Sequence, residues 1–523
     1  MPANTQNVSR ETAIINAVRR FTAGLTRVPG VWLLACATGL LHLVVAGRYD
    51  IFRNELYFIV CGRHPDFGYV DQPPLIPLIS AATQLFGENV WLLRLPAALA
   101  AAALVSLTAA FARLLGGNER SAWIAAVAAS IAPALAAMTS TLTTASLEPI
   151  GWTASAYFLA RAILQRHGRS ILWAGIIAGI SMEAKYGIAI WMIGLALGVL
   201  LTPARSILIR PPFWLAVAAG TAIGLPSLIW QQVHGWPFRE LHANHLAEGT
   251  NFTGTPLQFE QQQILAMNVL LAPVWITGVV APFFHTILRQ ARFLSIGFIA
   301  TTAIVFGTHG KDYYLFPVYP TMFAVGAAAC GNLPPWLTRI WLVAAAAVFV
   351  ALLPIALPIL DPPALERYIA FTHLAPVPEE AAAVGAPLTQ IFSDELGWRA
   401  LEQKVAAVFH SLPPADRTKA AILTTNYGEA AALDVYGSAD GLPPALCGQN
   451  QYFLWGSHGY DGQILIHVNG DPNRWRRGCE NVDVVGKFGV PYAMPYENER
   501  PIFICRGLRR NLGEIWDRLK RYQ

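Results

Sequence analysis

Residues 52–75 read FRNELYFIVCGRHPDFGYVDQPPL, and they follow a run from Val31 to Gly47 without an Asp, Glu, Lys or Arg. The uncharged run is long enough to begin crossing a bilayer. The stretch after it carries Glu55, Asp66, Asp71, Arg53, Arg63 and His64. Such a density of charge directly after an apolar helix marks a loop at one membrane face, and the side on which it lies decides how the whole chain is threaded.

Composition fixes the class. Of 523 residues, 13% are charged and 54% hydrophobic, and the mean hydropathy is +0.42. Soluble domains carry about 25% charge, so the chain reads as an α-helical polytopic membrane protein. The net charge of +5 is modest. No basic stripe interleaved with aromatics accompanies it, which excludes nucleic acid as a partner.

Apolar stretches of spanning or near-spanning length recur at 31–47, 90–112, 121–138, 147–164, 171–184, 186–202, 213–231, 264–288, 293–307, 313–330 and 337–360. The first is too long for the core of a cleaved leader and reads as a transmembrane helix. Threading these eleven spans alternately puts Arg113, Arg120, Arg161, Arg166, Arg169, Arg205, Arg210, Arg289, Arg292 and Arg339 on one side. The N-terminal segment 1–30, with Arg10, Arg19, Arg20 and Arg27, lies on that side too. By the positive-inside rule it is the cytoplasm.

The opposite face receives the opening loop, the turn around Thr139–Glu148, the turn holding Lys185, the loop 231–263 and THGKDYY at 308–314. Glu148 stands at the mouth of a span with Pro149 in the first helical turn. Lys185 sits at the tip of a helical hairpin, where a structural pair with Glu183 is the bland reading and an exposed functional cation the sharper one. Residues 54–62 pattern as a short interfacial helix with Leu56, Ile59 and Val60 on its apolar side and Glu55 at its start, where the helix dipole favours an anion. Leu75–Phe86 is too short to span and is expected to lie along the membrane.

An acidic helix start after the first span, followed by a PPL turn, resembles the GT-C membrane glycosyltransferases, specifically bacterial members of glycosyltransferase family 39. That family is related to the protein O-mannosyltransferases and the lipid A aminoarabinose transferase. The resemblance continues through LEP at 147–149, EAKYG at 183–187, WQQVHGWP at 230–237 and GKDYYLFPVYP at 310–320, and it covers about residues 30–360. It implies a transferase that moves a sugar from a polyprenyl-phosphate carrier to a lipid, glycan or protein acceptor at the outer face of a bacterial inner membrane.

In the family an acid of the first external loop acts as base. That position carries over to Asn54 and Glu55, which makes Glu55 the leading candidate, with Asp50 and Asp71 as rivals. Lys185, Lys311 and Arg239 are the basic residues expected to hold the carrier phosphate. Asn54, Gln72, Tyr186 and His242 are expected to line the substrate site, as are Asp312, Tyr313 and Tyr314. The chemistry asks for the same inventory: an acceptor hydroxyl must lose a proton as it attacks the anomeric carbon, and the departing phosphate needs positive charge. A single in-line displacement inverts the anomeric centre. Glu148 is expected to orient the acceptor or hold a divalent cation, although no compact ligand set accompanies it, and His242 and His245 lack a third ligand at useful spacing. No other cofactor is expected. The alternative is a multi-pass transporter, against which stand the absence of internal repeats and of mid-span charges.

From Asp361 to Gln523 the composition becomes more charged, and a small α/β domain is expected outside the cytoplasm. Its expected elements are a helix at 380–409, strands at AAILTTN, YFLWG, ILIHV, VDVVG and RPIFICRG, and a helix at YGEAAALDVYG. Of its cysteines, Cys479 and Cys505 fall beside or within neighbouring strands. They are the expected disulfide, with Cys447–Cys479 as the rival pairing.

Overall fold

The computed structural model describes residues 29–249, 251–374 and 386–523. The expected N-terminal basic segment and the first residues of the expected 380–409 helix lie outside the described residues. Each apolar stretch read from the sequence carries helix, but the lengths differ. Among the described residues, helices long and apolar enough to cross a membrane are Val90–Leu114, Pro211–Val233, Ile287–Gly307 and Pro335–Ala356. Shorter helices such as Pro29–Val45, Glu148–Leu164, Gly168–Ala184 and Ile188–Leu200 pack among them.

Two expected continuous spans are broken. The 121–138 stretch becomes Glu119–Ser130 and Pro133–Met138, because Pro133 lacks an N–H and disfavours helix in the residue before it. The 264–288 stretch bends by 99° between Pro256–Ala266 and Val269–Phe284. Asn268 takes φ 73° at that bend, and its amide donates to the carbonyls of Ile131 and Ala345. A buried side chain thus satisfies carbonyls of two other segments at the break.

Small residues set the helix spacing. A Cβ on Gly175 would stand 2.1 Å from the carbonyl oxygen of Ala216, and one on Gly198 would stand 2.0 Å from that of Phe293. In each case two helices approach backbone to backbone, the packing that membrane helices use where apolar burial against lipid gives no drive.

The C-terminal region folds on a five-stranded sheet of β1 (Ala420–Thr424), β2 (Ala445–Cys447), β3 (Ile464–Val468), β4 (Cys479–Phe488) and β5 (Arg500–Leu508), in the order β2-β1-β3-β5-β4. β1 runs parallel to β2 and β3, and β5 is antiparallel to β3 and β4. The antiparallel β4–β5 pair brings Cys479 and Cys505 to a Cα separation of 5.8 Å, and the expected disulfide joins them. Three sequence expectations fail in this region. YFLWG is the short helix Gln451–Trp455 rather than a strand, and ALC in the proline-rich loop is β2. The long helix spans Trp398–Ser411 and does not start near 380. The first two segments are too short for their apolar period to separate helix from strand, and Gly397, at φ 94°, breaks the helical path before Trp398.

The helix Arg53–Arg63 lies between the two regions. Residues 55–62 are all buried, so the expected interfacial helix with one wet face is instead covered on both sides. Leu56, Tyr57, Ile59 and Val60 share one apolar cluster with Leu433, Tyr452 and Ile466 of the sheet region.

Candidate active site

Glu55, the leading base by sequence, is sealed. Its side chain is 0% exposed. One oxygen accepts from the backbone N–H of Phe52 at 2.9 Å, which caps its own helix, and the other accepts from the N–H of Leu142 at 2.8 Å. Arg94 donates to both oxygens from Nε and again from Nη2 at 2.8 Å. Each Glu55 oxygen thus accepts from a backbone N–H and from Arg94, and the side chain has no exposed surface. Arg94 goes on to the carbonyls of Ala46 and Asp50 and to Glu395 at 3.0 Å. Burial pushes Glu395 up to about 7, against the pull of Arg94. Sequence alone does not single out Arg94; its signal is an arginine near the start of a span, where an unpaired charge is costly.

Asn54 and Asp50 also face the sheet region. The Tyr427 hydroxyl donates to Asn54 at 2.7 Å, and the Tyr436 hydroxyl donates to Asp50 at 3.1 Å. Arg53 pairs with Asp394 at 3.4 Å. These residues fasten the helix to the C-terminal region.

Asp71 is placed differently. It is half-buried, and one of its oxygens accepts from the Tyr57 hydroxyl at 2.9 Å. Burial raises its pKa to about 6, and the Tyr57 bond holds that rise back. Its charge reaches Tyr186, the neighbour of Lys185. The loop that carries it is pinned on its N-terminal side: Gln231 donates to the carbonyl of Tyr69 at 2.8 Å, and the Trp230 ring N–H donates to Asp66 at 2.8 Å. Gln72, next in sequence, is buried against Cys61.

The hairpin tip supplies a cation next in sequence to Tyr186. Lys185 Nζ lies 2.8 Å from Glu148, with side chains 20% and 4% exposed. The structural pairing of Lys185 with Glu183 does not form; Glu183 instead accepts from Ser227 at 2.9 Å. The ammonium also stands 5.0 Å from the ring centre of Tyr313 and 5.1 Å from that of Tyr314, within cation–π range. Gly187 leaves the room that Glu148 needs, since a Cβ there would lie 2.7 Å from its carboxylate. Asp312 accepts from the Tyr313 N–H, and Lys311 is half-buried beside it.

Arg239 and His242 are exposed on the helix Pro237–Ala247. Elsewhere this helix grips the chain's last residues: Glu240 pairs with Lys520 at 2.7 Å, and Asn244 donates to the carbonyl of Tyr522. No group of three His, Cys, Asp or Glu able to hold a metal occurs among the described residues, and the Glu148 carboxylate is held by Lys185.

Residues 71–230 match the dolichyl-phosphate-mannose-protein mannosyltransferase family, a segment that opens at Asp71 and includes Glu148 and Lys185. A curated relative, the lipid A galacturonosyltransferase RgtD of Rhizobium johnstonii, is 30% identical over 190 residues, 35% of this chain and 39% of that protein. The aligned part thus spans well under half of the relative's length. Two crystal structures of ArnT from Cupriavidus metallidurans are similar in fold. The apo form aligns with TM-score 0.59 at 15% identity and the form bound to undecaprenyl phosphate with 0.56 at 14%, each over 91% of this chain and 98% of that one. The chain is a multi-pass membrane protein with the GT-C fold, and its resemblance to family 39 glycosyltransferases holds in both sequence and fold.

Proposed function

We propose that this chain is a GT-C glycosyltransferase that passes a sugar from a polyprenyl-phosphate donor to a hydroxyl of a lipid, glycan or protein acceptor. The observation that carries the reading is the convergence of Glu148, Lys185 and the Tyr313–Tyr314 shelf, drawn from three distant parts of the sequence, around one cation that keeps 20% exposure, with the charge of Asp71 reaching Tyr186 next to it. An aligned fold with undecaprenyl phosphate bound supports the same donor class.

In this reading Asp71, not Glu55, is the base. Asp71 accepts the acceptor's proton as its oxygen attacks the anomeric carbon; the bond from that carbon to the phosphate oxygen breaks, and the phosphate leaves with the electron pair. Lys185 and Lys311 stabilise that charge. Glu148 holds Lys185 in place, and Tyr313 and Tyr314 flank it. Inversion at the anomeric carbon follows from a single displacement. The basic loops put the N-terminus in the cytoplasm. That threading places residues 31–360 as the membrane catalytic part with its site on the outer face, and residues 361–523 as a periplasmic domain.

The test is transfer by purified protein in lipid nanodiscs, supplied with a panel of labelled polyprenyl-phosphate sugars and a membrane extract. Transfer from one donor, with inverted product, is the expected result. No consumption of any such donor, with the protein folded, would overturn the reading.

A further inference from the structure

Tyr57 is the residue that links the base to the C-terminal region. Its ring lies within the buried helix Arg53–Arg63, 1% exposed, and packs against Tyr427 and Tyr452. Its hydroxyl donates to Asp71 at 2.9 Å and accepts the backbone N–H of Gln451 at 3.2 Å. The side-chain oxygen of the same glutamine accepts the N–H of Val70 at 3.1 Å. Gln451 opens a short helix after β2 and is 4% exposed. A single residue of the α/β region therefore holds both the backbone beside Asp71, through its side chain, and the Tyr57 hydroxyl that donates to Asp71, through its backbone.

We infer that Gln451 and Tyr57 are positioning residues for the transfer reaction: the C-terminal domain acts through them to fix the orientation and the proton affinity of the Asp71 carboxylate. The inference rests on the proposal that Asp71 is the base. The groups facing Asp71 are Tyr57 and Cys61 from the Arg53–Arg63 helix and Tyr186 from the turn after the Gly168–Ala184 helix. Of these, Tyr57 donates a hydrogen bond to the carboxylate. A donor to the charged form of an acid lowers its pKa. With the Gln451 N–H donating to its oxygen, the Tyr57 hydroxyl is left to direct its own proton to Asp71, and donation along such a chain polarises the next bond. The Val70 bond holds the backbone immediately before Asp71, where a shift of about 1 Å is enough to cost a reaction up to 10²-fold.

The test measures kcat, donor KM and the pH profile of kcat in the full-length protein for Tyr57→Phe and Gln451→Met, with Asp71→Asn as reference. Tyr57→Phe keeps the ring and removes the donor. It is expected to move the acid limb of kcat upward by about one pH unit with donor KM within about twofold. Gln451→Met keeps length and loses the acceptor for Val70; kcat is expected to fall about tenfold with KM unchanged. A merely structural role would not move the acid limb. If Asp71→Asn is inactive while both variants keep the wild-type kcat and acid limb, the positioning role is overturned and the base assignment stands. If Asp71→Asn retains activity, both are overturned.

Discussion

Two clusters of charge in this protein, one around Arg94 and one around Lys185, differ in one respect. Around Arg94, the Glu55 carboxylate is enclosed and its acceptors are filled; the side chains of Arg94, Glu55 and Glu395 are at most 2% exposed. Around Lys185, the charges are also paired, but the ammonium is 20% exposed and borders two tyrosine rings, and the charge of the half-buried Asp71 carboxylate reaches the adjoining Tyr186. A buried ion pair whose hydrogen-bonding groups are consumed holds segments in register. One that keeps a donor or a lone pair facing water is able to exchange it with a substrate. The comparison separates structure from chemistry by saturation, where residue type and loop position do not.

The sharpest way to break the comparison is to remove one carboxylate from each cluster. Asp71→Asn should lower turnover by about 10² to 10⁴-fold with an unchanged thermal midpoint. Glu55→Gln should act in the opposite manner, lowering the midpoint and the yield of folded protein. A Glu55→Gln protein that melts normally yet transfers nothing would exchange the two roles.

Arg94→Leu tests the sealed cluster alone. It leaves Glu55 and Glu395 buried together, so destabilisation of about 3–5 kcal/mol is expected, read as a shifted unfolding curve in detergent. The disulfide is the comparable restraint in the C-terminal region. Removing it as Cys479→Ser with Cys505→Ser frees a loop with a sequence separation of 26 and should cost about 3.5 kcal/mol on the chain-entropy account. Unfolding should shift without change in donor KM.

Lys185→Ala tests the open cluster on its binding side. Loss of a charged hydrogen bond to the carrier phosphate should raise donor KM by about 10 to 100-fold, measured by initial rates over donor concentration; an unchanged KM would mean that this lysine serves only to hold Glu148. The smallest effect is on pH. A base whose pKa is raised to about 6 is charged above it and protonated below, so kcat should be level above about pH 7 and fall about tenfold per unit below pH 6.

Much of this was legible in the chain. Low charge and recurrent apolar stretches establish a polytopic helical protein, and the motifs at 147–149, 183–187 and 310–320 carry the family resemblance. Four of the five strands, β1, β3, β4 and β5, and the disulfide partners follow from residue pattern and position, whereas β2 does not. These features are local: hydropathy, period and spacing act within a window of a few residues, and a sequence displays them directly.

What the sequence left open was decided by contacts between distant segments. Glu55 and Asp71 are alike as letters, both acids in one charged loop. Only folding brings Arg94 and the Leu142 N–H to the first and the Tyr57 hydroxyl to the second. The pairing of Lys185 with Glu148 over Glu183 depends on how two hairpins pack. The covering of the Arg53–Arg63 helix depends on a sheet that begins more than 350 residues later. Burial and the saturation of hydrogen bonds belong to the assembled interior, where a group's neighbours, and hence its proton affinity and its access to substrate, come from parts of the chain that no local pattern connects.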